Sequence, residues 1–419
     1  MARFVTWLPS FVLPDGLLVL AAVGFLRPGG LPNVMLSFEQ AFAYLVLAVG
    51  VLLGLYLRHS RILFALLLLA LADRALLHLA AGSAASADVG RIMFNAVALL
   101  LPLNLLALSL ITERRLLISR ELVRLILVLL QVFCLSWIGL PENADIAASL
   151  ESSFVDSRYT AWTPLAQPAL VAFGAALVLQ TARFVSYRNP VDRGFFWALV
   201  SAFIALHGTR VGWSPTNYLA TAGLILIIAA YAEVYQSTYY DELTGLRGRV
   251  ALDQALFNLG SRYAVAVIDV DGLKSINEAH GYAVGDQALR MVATKLATMA
   301  GNGDAFRSDG NRFTVIFRNT SVTDAVPHLE ELRQAVAASP ITLRTATRFF
   351  RKLLRPAMEG SSPAQLSVTV SIGAAERDER RATQDQVMKA VDVALARAKS
   401  DGRNRVRART SVKDQSGFH

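Results

Sequence analysis

The sequence contains a single cysteine, Cys134, in 419 residues. That excludes disulfides and cysteine metal clusters, and Cys134, set within an apolar run, reads as a small buried hydrophobe. Charge is scarce too. Only 17% of residues are Asp, Glu, Lys or Arg while 54% are hydrophobic, which is too little charge for a chain soluble along its whole length. No lysine precedes Lys274, so the net charge of +9 is spread unevenly. Near Gln236 long apolar runs give way to polar, patterned sequence. No long heptad region is present, so dimerisation would rest on the spans or on the C-terminal domain itself.

Crossing a bilayer takes about 20 mostly apolar residues in a helix. Seven stretches qualify: 36–57, 61–81, 89–111, 122–140, 165–185, 195–212 and 218–235. An eighth, 11–26, holds Pro14 and Asp15 and reads either as a further span or as a re-entrant or interfacial helix. The loops alternate in charge. Arg58-His59-Ser60-Arg61, Arg114-Arg115 with Arg120, and Arg188 with Arg193 are basic. Between them, 82–88 carries only Asp88, 213–217 carries no charge, and 141–164 sets Glu142, Asp145, Glu151 and Asp156 against Arg158. Basic loops stay cytoplasmic, so the pattern predicts a lipid-embedded helical bundle of seven or eight spans over 1–236 and a cytoplasmic C-terminal domain. Asp73, Arg74, His78, His207 and Arg210 lie within spans, where ionisable groups either serve a ligand- or signal-sensing site or pair and snorkel to fix packing.

Strands and helices alternate from Tyr240 onward. The β-branched run 263–269 suits a buried strand ending in a carboxylate, and 285–300 has helical periodicity. Two strands, 305–306 and 312–317, flank an Asp309-Gly310-Asn311 turn whose residues tolerate positive φ. Helices are expected over 325–338 and 384–400, and a strand over 366–373. The pattern predicts an α/β domain over 237–409, with a central sheet flanked by helices, and a disordered tail over 410–419.

Asp241-Glu242-Leu243-Thr244-Gly245-Leu246 with Arg249 resembles the opening motif of GGDEF domains, the diguanylate cyclase fold. Further matches follow in order: Asp269-Val270-Asp271 through Lys274 and Asn277; Gly281 through Gly285-Asp286; Val368 to Gly373; and Ala394-Leu395 through Lys399, Gly402-Arg403-Asn404. The resemblance implies a bacterial inner-membrane signalling protein of the cyclic di-GMP type. In that family each half-site of a homodimer binds one GTP, and Mg²⁺ held by carboxylates supports the joining of two GTP into cyclic di-GMP. By this resemblance Asp269 stands at the first metal carboxylate, with the Val270 backbone beside it. Asn277 and Asp286 stand where the guanine edge is read, and Lys274, Lys399 and Arg403 where the triphosphate is met. The same residues also fit plainer roles, Asp269 and Asp271 capping a helix and Lys399 and Arg403 forming a solvated helix end.

The departures fall on the signature. Asp309-Gly310-Asn311-Arg312-Phe313 occupies the place of Gly-Gly-Asp/Glu-Glu-Phe. Asp309 adds bulk and charge where backbone meets the α-phosphate, although it is also a candidate second metal ligand. Asn311 offers a neutral oxygen in place of a carboxylate, and Arg312 reverses the charge of its position. Gly272 and Leu273 replace the two aromatics usual before Lys274, and the product-inhibition motif falls on Ala300-Gly301-Asn302-Gly303 and is absent. Outside the family pattern, 340–360 carries Arg344, Arg348, Arg351, Lys352 and Arg355 at helical spacing, fitting a membrane-surface or acidic-partner element, or a solvated face; no nucleic-acid partner is expected. The leading expectation is a non-catalytic regulatory or guanine-nucleotide-binding module that contacts a signalling partner. A weak diguanylate cyclase and a membrane scaffold without nucleotide are the alternatives.

Overall fold

The computed structural model describes residues 11–26, 36–56, 59–81, 87–111, four single positions between 126 and 137, 150–299, 303–342, 365–377 and 383–409. The expected span 122–140, apart from those positions, lies outside the described residues, as do the basic segment at 344–355 and the tail 410–419. The chain divides into two compact units, Met1–Val234 and Tyr235–His419.

The first unit is a helical bundle: α1 Asp15–Phe25, α2 Leu36–Tyr56, α3 Ser60–Ala81, α4 Ala87–Leu110, α5 Gln167–Tyr187, α6 Pro190–Gly208 and α7 Pro215–Tyr239, whose last residues belong to the second unit. Among the described residues four helices are long and apolar enough to cross a membrane: Gly90–Leu110, Gln167–Tyr187, Pro190–Val211 and Pro215–Tyr239. Shorter apolar helices cover Asp15–Phe25 and Ala41–Tyr56. Small residues let α6 and α7 approach closely: a Cβ on Gly194 would overlap that of Ala229. Buried carboxylates of the bundle are paired. Asp15 meets Arg193 at 2.7 Å, Asp192 meets Arg183 at 3.0 Å, and Glu233 receives Arg61 Nη2 on both oxygens at 2.8 Å with Asn189 Nδ2 at 2.8 Å. Pairing of this kind is what a charge in an apolar bundle requires.

The second unit is built on a five-stranded mixed sheet in the order β2-β3-β1-β6-β7. Its strands are β1 Tyr263–Val270, β2 Gly303–Asp309, β3 Arg312–Arg318, β6 Val370–Glu376 and β7 Val406–Arg409; a separate pair, β4 Ile341–Thr342 and β5 Gln365–Leu366, stands outside it. Only β6 and β7 run parallel. The helices are α8 Arg249–Phe257, α9 Leu273–His280, α10 Tyr282–Ala297, α11 Val322–Ala337 and α12 Gln384–Ser400. Every residue of β1 is buried, and the period of two divides it between two cores. Ala264, Ala266, Ile268 and Val270 pack with Val292, Leu329 and their neighbours on α10 and α11. Tyr263, Val265 and Val267 pack with Leu252 of α8 and Val391 and Leu395 of α12. The odd-numbered face therefore looks at α12, and Asp269 is on it. A capping box, Thr383 with Gln386, starts α12.

Two expectations are corrected. The strand expected over 366–373 is broken: Gln365 and Leu366 pair with β4, and β6 begins only at Val370. Between them the Thr369 hydroxyl bonds Asp271, at 2.8 Å. The β2–β3 turn also does without positive φ at Gly310 or Asn311. It is held by side chains instead: Asp309 Oδ1 accepts from Gly310 N at 2.7 Å, and Arg307 Nη2 donates to Gly310 O at 2.9 Å, next to a register shift between Arg307 and Asp309.

Candidate functional site

The carboxyl end of β1 is where the chain gathers its chemistry. Asp269, the last odd-face residue of the strand, is 3% exposed and lies in register with Arg312 of β3 on one side and Ser371 of β6 on the other. Arg312 shares that face because the pleat alternates. Three donors converge on the carboxylate. Lys399 Nζ, from the last turn of α12, stands 2.8 Å from Oδ2; Arg312 Nε stands 3.4 Å from the same oxygen; Asn311 Nδ2 donates to Oδ1 at 3.1 Å. Arg312 Nη1 also lies 3.7 Å from Asp392 of α12. Two cations and an amide thus neutralise one buried carboxylate, as burial demands.

Asp271, two residues on, ties three segments together. Its Oδ1 accepts from Ser371 Oγ at 2.7 Å, and its Oδ2 from Thr369 Oγ1 at 2.8 Å and Asn404 N at 3.2 Å. It caps no helix, since the N-cap position of α9 is Gly272, with φ +66°, and the helix has no side-chain cap. The 401–405 loop that holds Arg403, itself at φ +61°, is anchored by this carboxylate.

A second tie fixes the hairpin from behind. Asp241 Oδ1 accepts from Thr244 N at 2.8 Å, Thr244 Oγ1 at 2.6 Å and Arg307 Nη1 at 2.7 Å. Burial pushes the Asp241 carboxyl up, but the hydrogen bonds from Thr244 and Arg307 outweigh it and leave the group below the ordinary carboxylate value. The opening motif and the hairpin are thus joined through one carboxylate.

The remaining expected site residues are spread along α9, α10 and the hairpin. Lys274 projects from α9, 91% exposed, with Glu278 at 3.9 Å. Asn277, also on α9, packs over Gly285 of α10: a Cβ there would overlap Asn277 Oδ1, an oxygen that is buried with no hydrogen-bond partner among the described residues. Asp286 follows on α10, half-buried. Val270 is buried and its N–H donates to Asn311 O at 3.2 Å. Asp309, exposed, turns its carboxylate to its own hairpin. Asp269, Asn311, Arg312 and Lys399 are therefore in direct contact, and among the described residues no side-chain hydrogen bond or ion pair joins Lys274, Asn277, Asp286, Asp309 or Arg403 to them. Sequence reasoning gave Asp271 only a place in a motif and a capping role, and missed the parts played by Asp392 and Arg307. The spacing of two between Asp269, in the strand, and Asp271, just past its end, held the signal for Asp271, whereas nothing local marks the other two.

Residues 238–405 match the family described as diguanylate cyclase, GGDEF domain. These residues are a GGDEF domain. The chain is 28% identical over 201 residues to the diguanylate cyclase VdcA of Vibrio cholerae, covering 46% of this chain and 55% of that protein. It is 28% identical over 182 residues to the uncharacterized membrane protein SERP0413 of Staphylococcus epidermidis, covering 42% of this chain and 47% of that protein. The crystal structure of the coiled coil and GGDEF domain of DgcB from Caulobacter crescentus in complex with c-di-GMP is 30% identical, with a TM-score of 0.39, and covers 45% of this chain and 95% of that one. The chain spans between 24% and 55% of the length of the curated relatives it matches.

Within the GGDEF domain Mg²⁺ is the metal the family uses with GTP. A divalent cation asks for carboxylates and other oxygens. Among the described residues no three His, Cys, Asp or Glu side chains come together, so any Mg²⁺ would rest on one or two carboxylates with phosphate and water oxygens. Asp269, which is buried, already carries Lys399 and Arg312, so the residues as arranged do not fit a protein-held Mg²⁺.

Proposed function

We propose that this is a multi-pass protein of the bacterial inner membrane whose GGDEF domain, in the cytoplasm, regulates through guanine-nucleotide binding and partner contact without making cyclic di-GMP. One observation carries it. At the place where the family's resemblance puts a metal carboxylate, Asp269 is neutralised by Lys399 and Arg312, and the neighbouring signature position is an amide, Asn311. An active site for two-GTP condensation must offset charge growing on the α-phosphate and on the leaving pyrophosphate, which Mg²⁺ does through carboxylate ligation. Here Arg312 occupies the carboxylate and adds its own positive charge.

Nucleotide binding is carried by a different part of the surface. The Asn277 amide and the Asp286 carboxylate offer an acceptor and donor set for a guanine edge, and the buried Asn277 Oδ1 is left for a ligand N–H. Lys274 and Arg403 supply the charge for phosphates. In this reading 1–236 is the membrane part with seven or eight spans, 237–409 the signalling domain and 410–419 a tail, and the active form is a homodimer or a complex with a signalling partner.

The test uses residues 235–419, a compact unit with its own two cores. Incubated with GTP and Mg²⁺ or Mn²⁺, it is expected to bind GTP, to lose that binding on Asn277→Ala or Asp286→Ala, and to form no cyclic di-GMP. Cyclic di-GMP formation abolished by Asp269→Ala would establish a cyclase and sink this reading. Failure to bind any guanine nucleotide would leave a scaffold.

A further inference from the structure

Within the first unit, α2, α3 and α7 line a half-open chamber of about 180 Å³. Its walls are apolar, among them Ala43, Leu47, Leu66, Leu69 and Ala220. Four polar side chains also line it: Tyr44, Asp73, Arg74 and Thr216. Asp73 is 7% exposed and saturated. Its Oδ1 accepts from Thr216 Oγ1 at 2.5 Å, and its Oδ2 from Arg74 Nη2 at 2.5 Å and Nε at 3.2 Å. Arg74 Nη1 donates to the Tyr44 hydroxyl at 3.1 Å, with the guanidinium 5.4 Å from the centre of the Tyr44 ring.

The hydrogen-bond inventory of this cluster is lopsided. A guanidinium has five N–H groups, of which these contacts engage three, leaving a second N–H on Nη1 and on Nη2. The Tyr44 hydroxyl accepts from Arg74 and keeps its own proton to donate. The Arg74 side chain is 47% exposed. Donors therefore remain at the chamber, while its one carboxylate is used up. Asp73 and Arg74 lie about two turns from the end of α3 at Ala81, roughly 11 Å along the axis at 1.5 Å per residue. At that depth unmet donors are costly. Among the described residues what the cluster lacks is an acceptor, and what adjoins it is apolar space.

We propose that this chamber binds a small organic carboxylate, with its acyl or aryl group between the apolar walls and its carboxylate on Arg74 and Tyr44. A guanidinium and a carboxylate match in fork geometry. An apolar cavity of about 150 Å³ accommodates benzene, so an acid of roughly six to ten carbons is the size that fits. The chamber sits at the end of the bundle where α3 finishes and α2 and α7 begin. By the alternation of basic loops that end faces away from the cytoplasm, so the ligand arrives from outside the cell or from the outer leaflet.

The experiment uses the full chain in phosphatidylcholine nanodiscs, titrated calorimetrically with octanoate and, as the neutral counterpart, octanol. Saturable octanoate binding is expected, at least ten-fold tighter than octanol. Arg74→Gln should weaken it ten-fold or more, and Ala43→Phe, which fills the chamber while leaving the ion pair intact, should abolish it. Asp73→Asn should tighten it several-fold, because the guanidinium loses its competing carboxylate. That last sign separates a binding role from a packing role, which would leave affinity unmoved. Thermal unfolding of each variant in the same discs verifies that it is folded. Equal affinity for octanoate and octanol, uptake proportional to lipid without saturation, or unchanged octanoate affinity in folded Arg74→Gln or Ala43→Phe would overturn the proposal.

Discussion

Replacing Asn311 by Asp and Arg312 by Glu together reverses the charge of the hairpin. In the native chain Asp269 is met by Lys399 at 2.8 Å, Asn311 at 3.1 Å and Arg312 at 3.4 Å. The double exchange removes two of these donors and leaves Lys399 alone with three carboxylates. A hydrogen bond to a charged group contributes about 1.5–3 kcal/mol. Arg312 is 44% exposed, so its share belongs at or below the lower end of that range. The new like charges add a repulsion of similar size, and the expected loss is about 3–5 kcal/mol. For a unit of this length that lowers Tm by roughly 10 °C, at about 2–4 °C per kcal/mol. Mg²⁺ should then matter. An ion present at 100 times its Kd returns about 2.7 kcal/mol, or half the loss or more. Circular-dichroism melts of residues 235–419 with Mg²⁺ and with EDTA are the assay: no metal-dependent shift in the native chain, a clear rise in the variant. A native fragment stabilised by Mg²⁺ as much as the variant, or a variant as stable as native and indifferent to the ion, would refute the idea that Arg312 stands in for the metal.

Three other outcomes are expected. Gly373→Ala should destabilise the domain by about 3 kcal/mol in urea unfolding, because its Cβ would stand 2.5 Å from Val391 O and 2.7 Å from Leu395 Cα, backbone atoms of α12 that cannot rotate away. Gly285→Ala should cost little or no stability, since only the end of the Asn277 side chain must move and alanine favours the helix by about 1 kcal/mol; GTP titration should nonetheless show binding weakened ten-fold or more. Acid unfolding should depend on Asp241. Its carboxyl is held below the ordinary value, so on acidification the unfolded chain takes the proton first; the contribution is complete above about pH 3.9 and disappears as pH falls through the folded value. Arg307→Met should flatten that part of the urea-midpoint profile between pH 2 and 5.

Much of the second unit was legible because β1 is so regular. Eight buried residues with alternating partners state both the strand and its two faces, and Asp269 could be assigned to its end from spacing alone. Helix α12 was legible over 384–400, the bounds it has as Gln384–Ser400. What lay beyond reach was long-range pairing. Lys399 looked like a phosphate group's partner, but α12 lies across the odd face of β1 and delivers the ammonium to Asp269, 130 positions earlier in the chain. Asp392 reaching Arg312 is of the same kind. The turn at Gly310 misled for a local reason: glycine and asparagine permit positive φ but do not require it, and the Asp309 and Arg307 side chains offered another way to close the hairpin. In the first unit the adjacency of Asp73 and Arg74 was plain, while the Tyr44 and Thr216 contacts come from helices far off in sequence.

The bare α-carbon of Gly373 has an effect well away from its own strand. Helix α12 rests there backbone against backbone, with no side chain to act as a cushion, opposite Val267 in the register of β1. The same helix carries Asp392 and Lys399, both ends of the charge arrangement around Asp269 and Arg312. The ion pairs therefore inherit the stiffness of the sheet and not the looseness of two long side chains. A shift of α12 along or away from β6 would move both partners at once, so the charge cluster behaves as a gauge of how firmly that helix is seated.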